Sequence, residues 1–137
     1  MDTITVEDRI AALPTTVNAA DWLTRLGRFC TLKFVIQVDD TEFHIDVRSG
    51  RIADVQRGAF LLRGYAFAIR GAGASWAEFC REIPARGFQD LFAMTTYGHV
   101  QVDGDLDPLR QHLPYIKGVL AALRDIPSHD AQDASAL

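Results

Sequence analysis

At Leu32 the hydrophobic period of the chain changes from that of a helix to that of a strand, and it keeps the new period through three consecutive runs. "LKFVIQV" puts Leu32, Phe34, Ile36 and Val38 on one side, and "EFHIDVR" puts Phe43, Ile45 and Val47 inward with His44, Asp46 and Arg48 outward. "RIADVQRG" follows. The pairs between the runs, Asp39-Asp40 and Ser49-Gly50, are hairpin turns that leave only antiparallel neighbours possible. This pattern predicts a meander with one dry face and one wet face. A fourth run, "GYAFAIRG", alternates Tyr65, Phe67 and Ile69 with Ala66, Ala68 and Arg70, and is reached by a longer connection through "AFLLR". It reads as antiparallel too. "HVQV" is the last strand, with Val100 and Val102 inward.

The dry face needs cover, and the remaining segments have helical spacing. Val6, Ile10 and Leu13 are spaced by four and three, and Pro14 is expected to stop that helix. Asn18 is placed to cap "AADWLTRLGRF", whose Trp22, Leu26 and Phe29 share a face that should pack on the sheet. Ser75 with Glu78 reads as a capping box ahead of Trp76, Phe79, Cys80 and Ile83, ended by Pro84. A short helix then carries Phe88, Leu91, Phe92 and Met94. Asp105 or Asp107 caps a final stripe of Leu109, Leu113, Ile116, Leu120 and Leu123, which Pro114 should kink or split.

With 137 residues, the chain has the length of one domain, expected over 1–127, with N-terminal helices at 5–29, sheet and helices at 32–124, and a flexible tail at 128–137. Hydrophobic residues make up 48% and charged residues 23%, a folding composition. Fourteen Lys and Arg against eighteen Asp and Glu give a formal charge of -4 with no basic run, so nucleic acid is not an expected partner. There is no long apolar run and no signal-peptide pattern, and the C-terminal "SAL" lacks the basic middle residue of a peroxisomal address. A cytoplasmic location is expected. Cys30 and Cys80 each end an apolar helical pattern and read as reduced core thiols.

Chemistry finds little support. "RGAGAS" has the glycines of an anion-binding loop but no Gly-Lys-Ser/Thr and no dinucleotide fingerprint. His44, His99, His112 and His129 are scattered, with His44 and His99 expected on a solvated sheet face, and no metal or other cofactor is implied. Cys80 sits on an apolar face, where its thiol is poorly activated. Only His99, Asp103 and Asp105 stand near one another in sequence as an acid-base group. The unexplained feature is an apolar surplus: two aromatic short helices, broken by Pro84 and Gly87, and a split C-terminal helix must share one sheet face. Irregular helices over a sheet are one way to leave a cavity between layers.

Taken in order, "FHIDVRSGRIADVQRG" (43–58), the helix entry "SWAEF" (75–79) and "GHVQVDGD" (98–105) after "LFAMTTY" make the chain resemble the sterol carrier protein type 2 family over about 18–124. The resemblance implies an α+β fold: a five-stranded, mainly antiparallel sheet with helices covering one face and an apolar tunnel between the layers. It implies a carrier or accessory domain for a hydrophobic ligand such as a fatty acid, acyl-CoA or sterol, with no catalytic residues. The expected tunnel lining is Phe34, Ile36, Phe67, Trp76, Phe79, Phe88, Phe92, Met94, Val100, Ile116 and Leu120, and Arg63, Arg70, Arg81 or Arg86 would meet an anionic head group. Two other readings stay open: a subunit whose apolar surface is covered by a partner protein or a second copy, and an enzyme on a small hydrophobic substrate.

Overall fold

The computed structural model describes residues 5–58 and 64–125. The "AFLLR" connection, Arg63 and the expected flexible tail lie outside the described residues. Five strands form one sheet: β1 (Leu32–Val38), β2 (Thr41–Arg48), β3 (Arg51–Arg57), β4 (Phe67–Gly71) and β5 (Val100–Gly104), in the order β3-β2-β1-β4-β5. The meander is as the alternation predicts, with Phe34 opposite Ile45 and Ile36 opposite Phe43. The Ser49-Gly50 turn has both residues at positive φ, the type I′ geometry that matches the twist of the strands. β4 departs from expectation. It pairs antiparallel with β5 but parallel with β1, so the sheet is mixed.

Seven helices occur among the described residues: α1 (Val6–Ala11), α2 (Leu13–Asn18), α3 (Asp21–Leu26), α4 (Gly73–Phe79), α5 (Leu91–Thr96), α6 (Leu106–Gln111) and α7 (Leu113–Ala121), the last running into a 3-10 turn at Ala122–Arg124. They cover the inward side chains of the sheet. Pro14 opens α2 and does not end α1, because a proline at the first helical positions loses no hydrogen bond. Asn18 is the last residue of α2, not the cap of α3. Its side chain bonds both the N-H of Ile52 at 2.8 Å and its carbonyl at 3.1 Å, so an amide takes the place of a further strand at the β3 edge. α4 has no Ser75 capping box. Glu78 turns instead to Arg81 and to the N-H of Ala85, which holds its carboxyl below the usual range, and Ile83 is exposed beyond the helix end.

The core lies between sheet and helices. Phe34 and Phe67 stack across the parallel β1-β4 pair with centroids 5.2 Å apart, and Trp76 meets Phe79 edge-on at 5.9 Å. Buried Trp76 donates to the Gln37 carbonyl at 3.0 Å. Tyr115 on α7 donates from its buried hydroxyl to the Gly50 carbonyl at 2.8 Å, tying helix layer to hairpin turn. Cys30 and Cys80 are free and buried. Trp22, Leu26 and Phe29 correct an expectation: they face away from the core and are 64%, 46% and 79% exposed, and Leu23 is the α3 side chain that is buried. With α3 only one and a half turns long, one residue per turn satisfies the contact with α7.

Candidate functional site

α5, β5 and α6 meet at the sheet edge and enclose an apolar cleft of about 220 Å³, lined by Leu91, Phe92, Thr95, Val102, Leu106, Leu109, Leu113 and Arg110. Each wall has a local cause. Asp90 caps α5 by accepting from the N-H of Ala93 at 2.8 Å, and Lys117 on α7 reaches the same carboxylate at 3.3 Å. The Ala93 bond, then Lys117, holds the Asp90 carboxyl below its usual range. Asp105 caps α6 through the N-H of Asp107 at 3.1 Å, and Gly104, at φ +100, makes the close turn out of β5. Pro114 splits the C-terminal stripe in two, so Ile116 and Leu120 of α7 bury in the core while Leu106, Leu109 and Leu113 border the cleft.

Polar groups are nearly absent from the lining. The Thr95 hydroxyl donates to the Leu91 carbonyl at 2.8 Å and so has spent its proton inside its own helix. Arg110, paired with Asp107 at 3.3 Å, is the charged residue at the edge. Leu91 and Leu109 are buried and belong to the main core, so the floor of the cleft is shared with it. Such a surface desolvates hydrocarbon at little cost and has no hydrogen bond to offer a polar group held inside.

Of the expected lining, Phe92 alone borders this cleft, and it is 75% exposed. Phe34, Ile36, Phe67, Trp76, Phe79, Met94, Val100, Ile116 and Leu120 are buried, and Phe88 is half-buried against the core. The cleft is lined by leucines at 91, 106, 109 and 113 and by Val102, which the sequence reading did not place in a ligand site. Their signal was the Leu106-Leu109-Leu113 spacing, which Pro114 separates from the rest of the stripe.

Of the arginines expected at a mouth, Arg70, Arg81 and Arg86 do not line the cleft, and Arg63 lies outside the described residues. Arg70 lies on the opposite face of the sheet, bonded to Asp103 at 2.9 Å, Glu42 at 3.1 Å, the Tyr65 hydroxyl at 3.0 Å and the Gln37 side chain. Asp103, then Glu42, raises its pKa further, and Arg81 pairs with Glu78. On that face His44 is buried, not solvated, with Glu42 at 3.2 Å and Tyr65 edge-on at 6.3 Å. His99 stacks on Phe88 with centroids 3.9 Å apart. The acid-base group proposed from sequence spacing is thus divided: Asp103 serves Arg70, Asp105 serves α6 and His99 packs on Phe88. Among the described residues no group of three His, Cys, Asp or Glu is placed to hold a metal.

The fold and cleft together define a class: an α+β domain with helices on one sheet face and an apolar recess at the edge. Solved structures with this α+β architecture are similar to this chain. A crystal structure of sterol carrier protein 2 matches with a TM-score of 0.69 at 12% identity, covering 86% of this chain and 95% of that one. Apo sterol carrier protein 2 from Yarrowia lipolytica matches at 0.57 and 12% identity, with 92% and 97% covered, and UbiJ-SCP2, a ubiquinone synthesis protein, at 0.54 and 14%, with 84% and 87% covered. The chain has the sterol carrier protein 2 fold. No family model and no curated protein matches it in sequence.

Proposed function

We propose that this protein binds or carries a lipid-like hydrophobic ligand, without catalysing a reaction on it. The observation that carries the reading is the cleft: its walls are leucine, phenylalanine and valine, and its one interior hydroxyl is internally bonded. The fold it shares with proteins named as sterol carriers supports the same reading. Fatty acids, acyl thioesters and sterol-like molecules all present the hydrocarbon that such walls select. Asp103, Asp105 and His99, each engaged in holding the fold, support a binding role over an acid-base one.

Size sets the affinity. At about 0.8 kcal/mol per buried methylene, the few methylenes that fit the cleft contribute a few kcal/mol before the cost of association, so binding confined to the cleft is weak. Tighter binding requires Leu91 and Leu109 to move aside and the ligand to enter the layer of Phe34, Phe67, Trp76 and Ile116, the deeper tunnel proposed here.

Displacement of a fluorescent fatty acid from the purified protein tests the reading, and native mass spectrometry of protein prepared without delipidation identifies a co-purifying ligand. Leu109→Asp should abolish displaceable binding, and Asp105→Ala, which removes only a helix cap, should keep it. Failure of medium- and long-chain acids and of sterols to bind, with nothing co-purifying, overturns the proposal.

A further inference from the structure

The two outer edges of the sheet are treated differently. At β3 the Asn18 amide takes the N-H and the carbonyl of Ile52, so that edge is closed. At β5 no strand lies beyond, among the described residues. The direction of its main chain follows from two neighbouring bonds. The Asp39 N-H donates to the Gly71 carbonyl at 3.0 Å, and the Asp105 N-H donates to the Ala66 carbonyl at 2.7 Å. Ile69 and Gly71 therefore turn their main-chain groups to β1, and Ala68 and Arg70 turn theirs to Asp103 and Gln101 of β5. By alternation the N-H and carbonyl of Val102 point away from β4, along the open edge.

An edge of this kind is a template for another strand, and proteins that avoid such pairing blunt it with lysine, proline or a bulge. β5 has neither lysine nor proline, and its register with β4 is unbroken. Its one charge, Asp103, is tied to Arg70 at 2.9 Å. The side of the strand that faces the helices is apolar as well: Val102 borders the cleft, whose lining includes the exposed Phe92 and Leu113.

We propose that this edge pairs with the same edge of a second copy, β5 antiparallel to β5 about a two-fold axis at Val102. Val102 is the middle residue of the strand, so this register overlaps it fully, and the two Val102 residues exchange both hydrogen bonds. The side chains favour the same register. Gln101 falls opposite the partner's Asp103, an amide against a carboxylate, on both sides of the axis, whereas centring on Asp103 would set two carboxylates face to face. The strand is thus its own complement. Directly opposite side chains share a face, so the partner's Val102 extends the apolar wall of each cleft. That extension bears on a ligand only through the reading of the cleft given above, on which it rests; the strand pairing stands on the edge alone.

Sedimentation equilibrium of the purified protein tests the pairing, and amide hydrogen exchange locates it. The mass should rise with concentration to twice that of the chain, and the Val102 N-H, which β4 does not use, should exchange slowly in the pair and fast in the dilute single chain. Gln101→Asp sets a carboxylate opposite the partner's Asp103 on both sides of the axis and should raise the dissociation constant roughly tenfold. Val102→Pro removes the outward N-H, a change that a strand edge tolerates, and should leave only the single-chain mass with the circular dichroism of the parent. A single-chain mass at every concentration, a pair in which the Val102 N-H exchanges freely, or a Gln101→Asp protein that pairs like the parent would each overturn the proposal. Fatty-acid displacement is read on the same samples: displacement by a protein that stays single keeps the ligand reading and removes this one, and pairing without displacement does the reverse.

Discussion

Asn18 and Tyr115 each spend a side-chain hydrogen bond where the main chain has none to give. Asn18 satisfies both backbone groups of Ile52 on the outer edge of β3, and Asn18→Leu would strand a donor and an acceptor there. An unsatisfied, partly buried pair costs about 1–3 kcal/mol, so the urea midpoint should fall accordingly, and Asn18→Asp, which keeps only the acceptor, should fall between the two. Tyr115→Phe leaves the Gly50 carbonyl without its donor at the same order of cost. Gly27→Ala should be worse than either, because its Cβ would meet the rigid face of Tyr115, and a ring packed in the core has nowhere to go. A Gly27→Ala protein as stable as the parent in urea would show that the ring is not fixed.

At the scale of elements, one residue ties both ends of the segment between α4 and α5 to the C-terminal turn. Arg124 donates to the carbonyls of Phe79 at 2.6 Å, Gln89 at 2.7 Å and Phe88 at 3.3 Å, and lies over the Phe79 ring at 4.2 Å. Lysine has neither the fork nor the flat face to make these contacts together. Arg124→Lys should therefore loosen residues 80–90, seen as faster amide exchange there, while β1 and β2 keep their protection. Asp90→Ala, which removes the cap of α5, should cost about 1 kcal/mol of stability and lower the urea midpoint accordingly. These ties also show what the sequence made legible. The meander could be read because its period of two and its short turns act within a few residues of chain. The parallel β1-β4 pairing could not, because it joins residues 33 apart, such as Phe34 and Phe67, and no local signal encodes that partner. For the same reason Trp22, Leu26 and Phe29 read as core: periodicity identifies an apolar face but not whether another element reaches it. The apolar cleft at the β5 edge was not foreseen in the sequence, since a proline announces a break without giving the direction in which each half points.

At the scale of the whole molecule, buried acids tie stability to alkaline pH. Burial pushes the Cys30 and Cys80 thiols from an ordinary value of 9.0 up to about 11, with Arg9 and Arg124 offsetting part of the rise at Cys80. Burial, then the neighbouring Cys30, raises Tyr115 above its usual range. All three are neutral in the fold, and the unfolded chain loses these protons first. The folded state therefore holds more protons above pH 9, and stability, fully present below that pH, falls as pH rises through about 11. Each thiol accounts for a loss on the order of 2 kcal/mol across that window. Urea midpoints measured at intervals from neutral pH to about 11 should therefore decline steeply, and Cys30→Ala with Cys80→Ala should flatten the decline even though the cavities lower the midpoint at neutral pH. Comparing slopes separates the two effects, because a cavity cost does not depend on pH and a proton balance does. Iodoacetamide provides the kinetic counterpart: with the thiolate disfavoured and buried, neither cysteine should be alkylated at neutral pH until urea opens the core, and rapid labelling of the native protein would contradict the burial on which the alkaline decline rests.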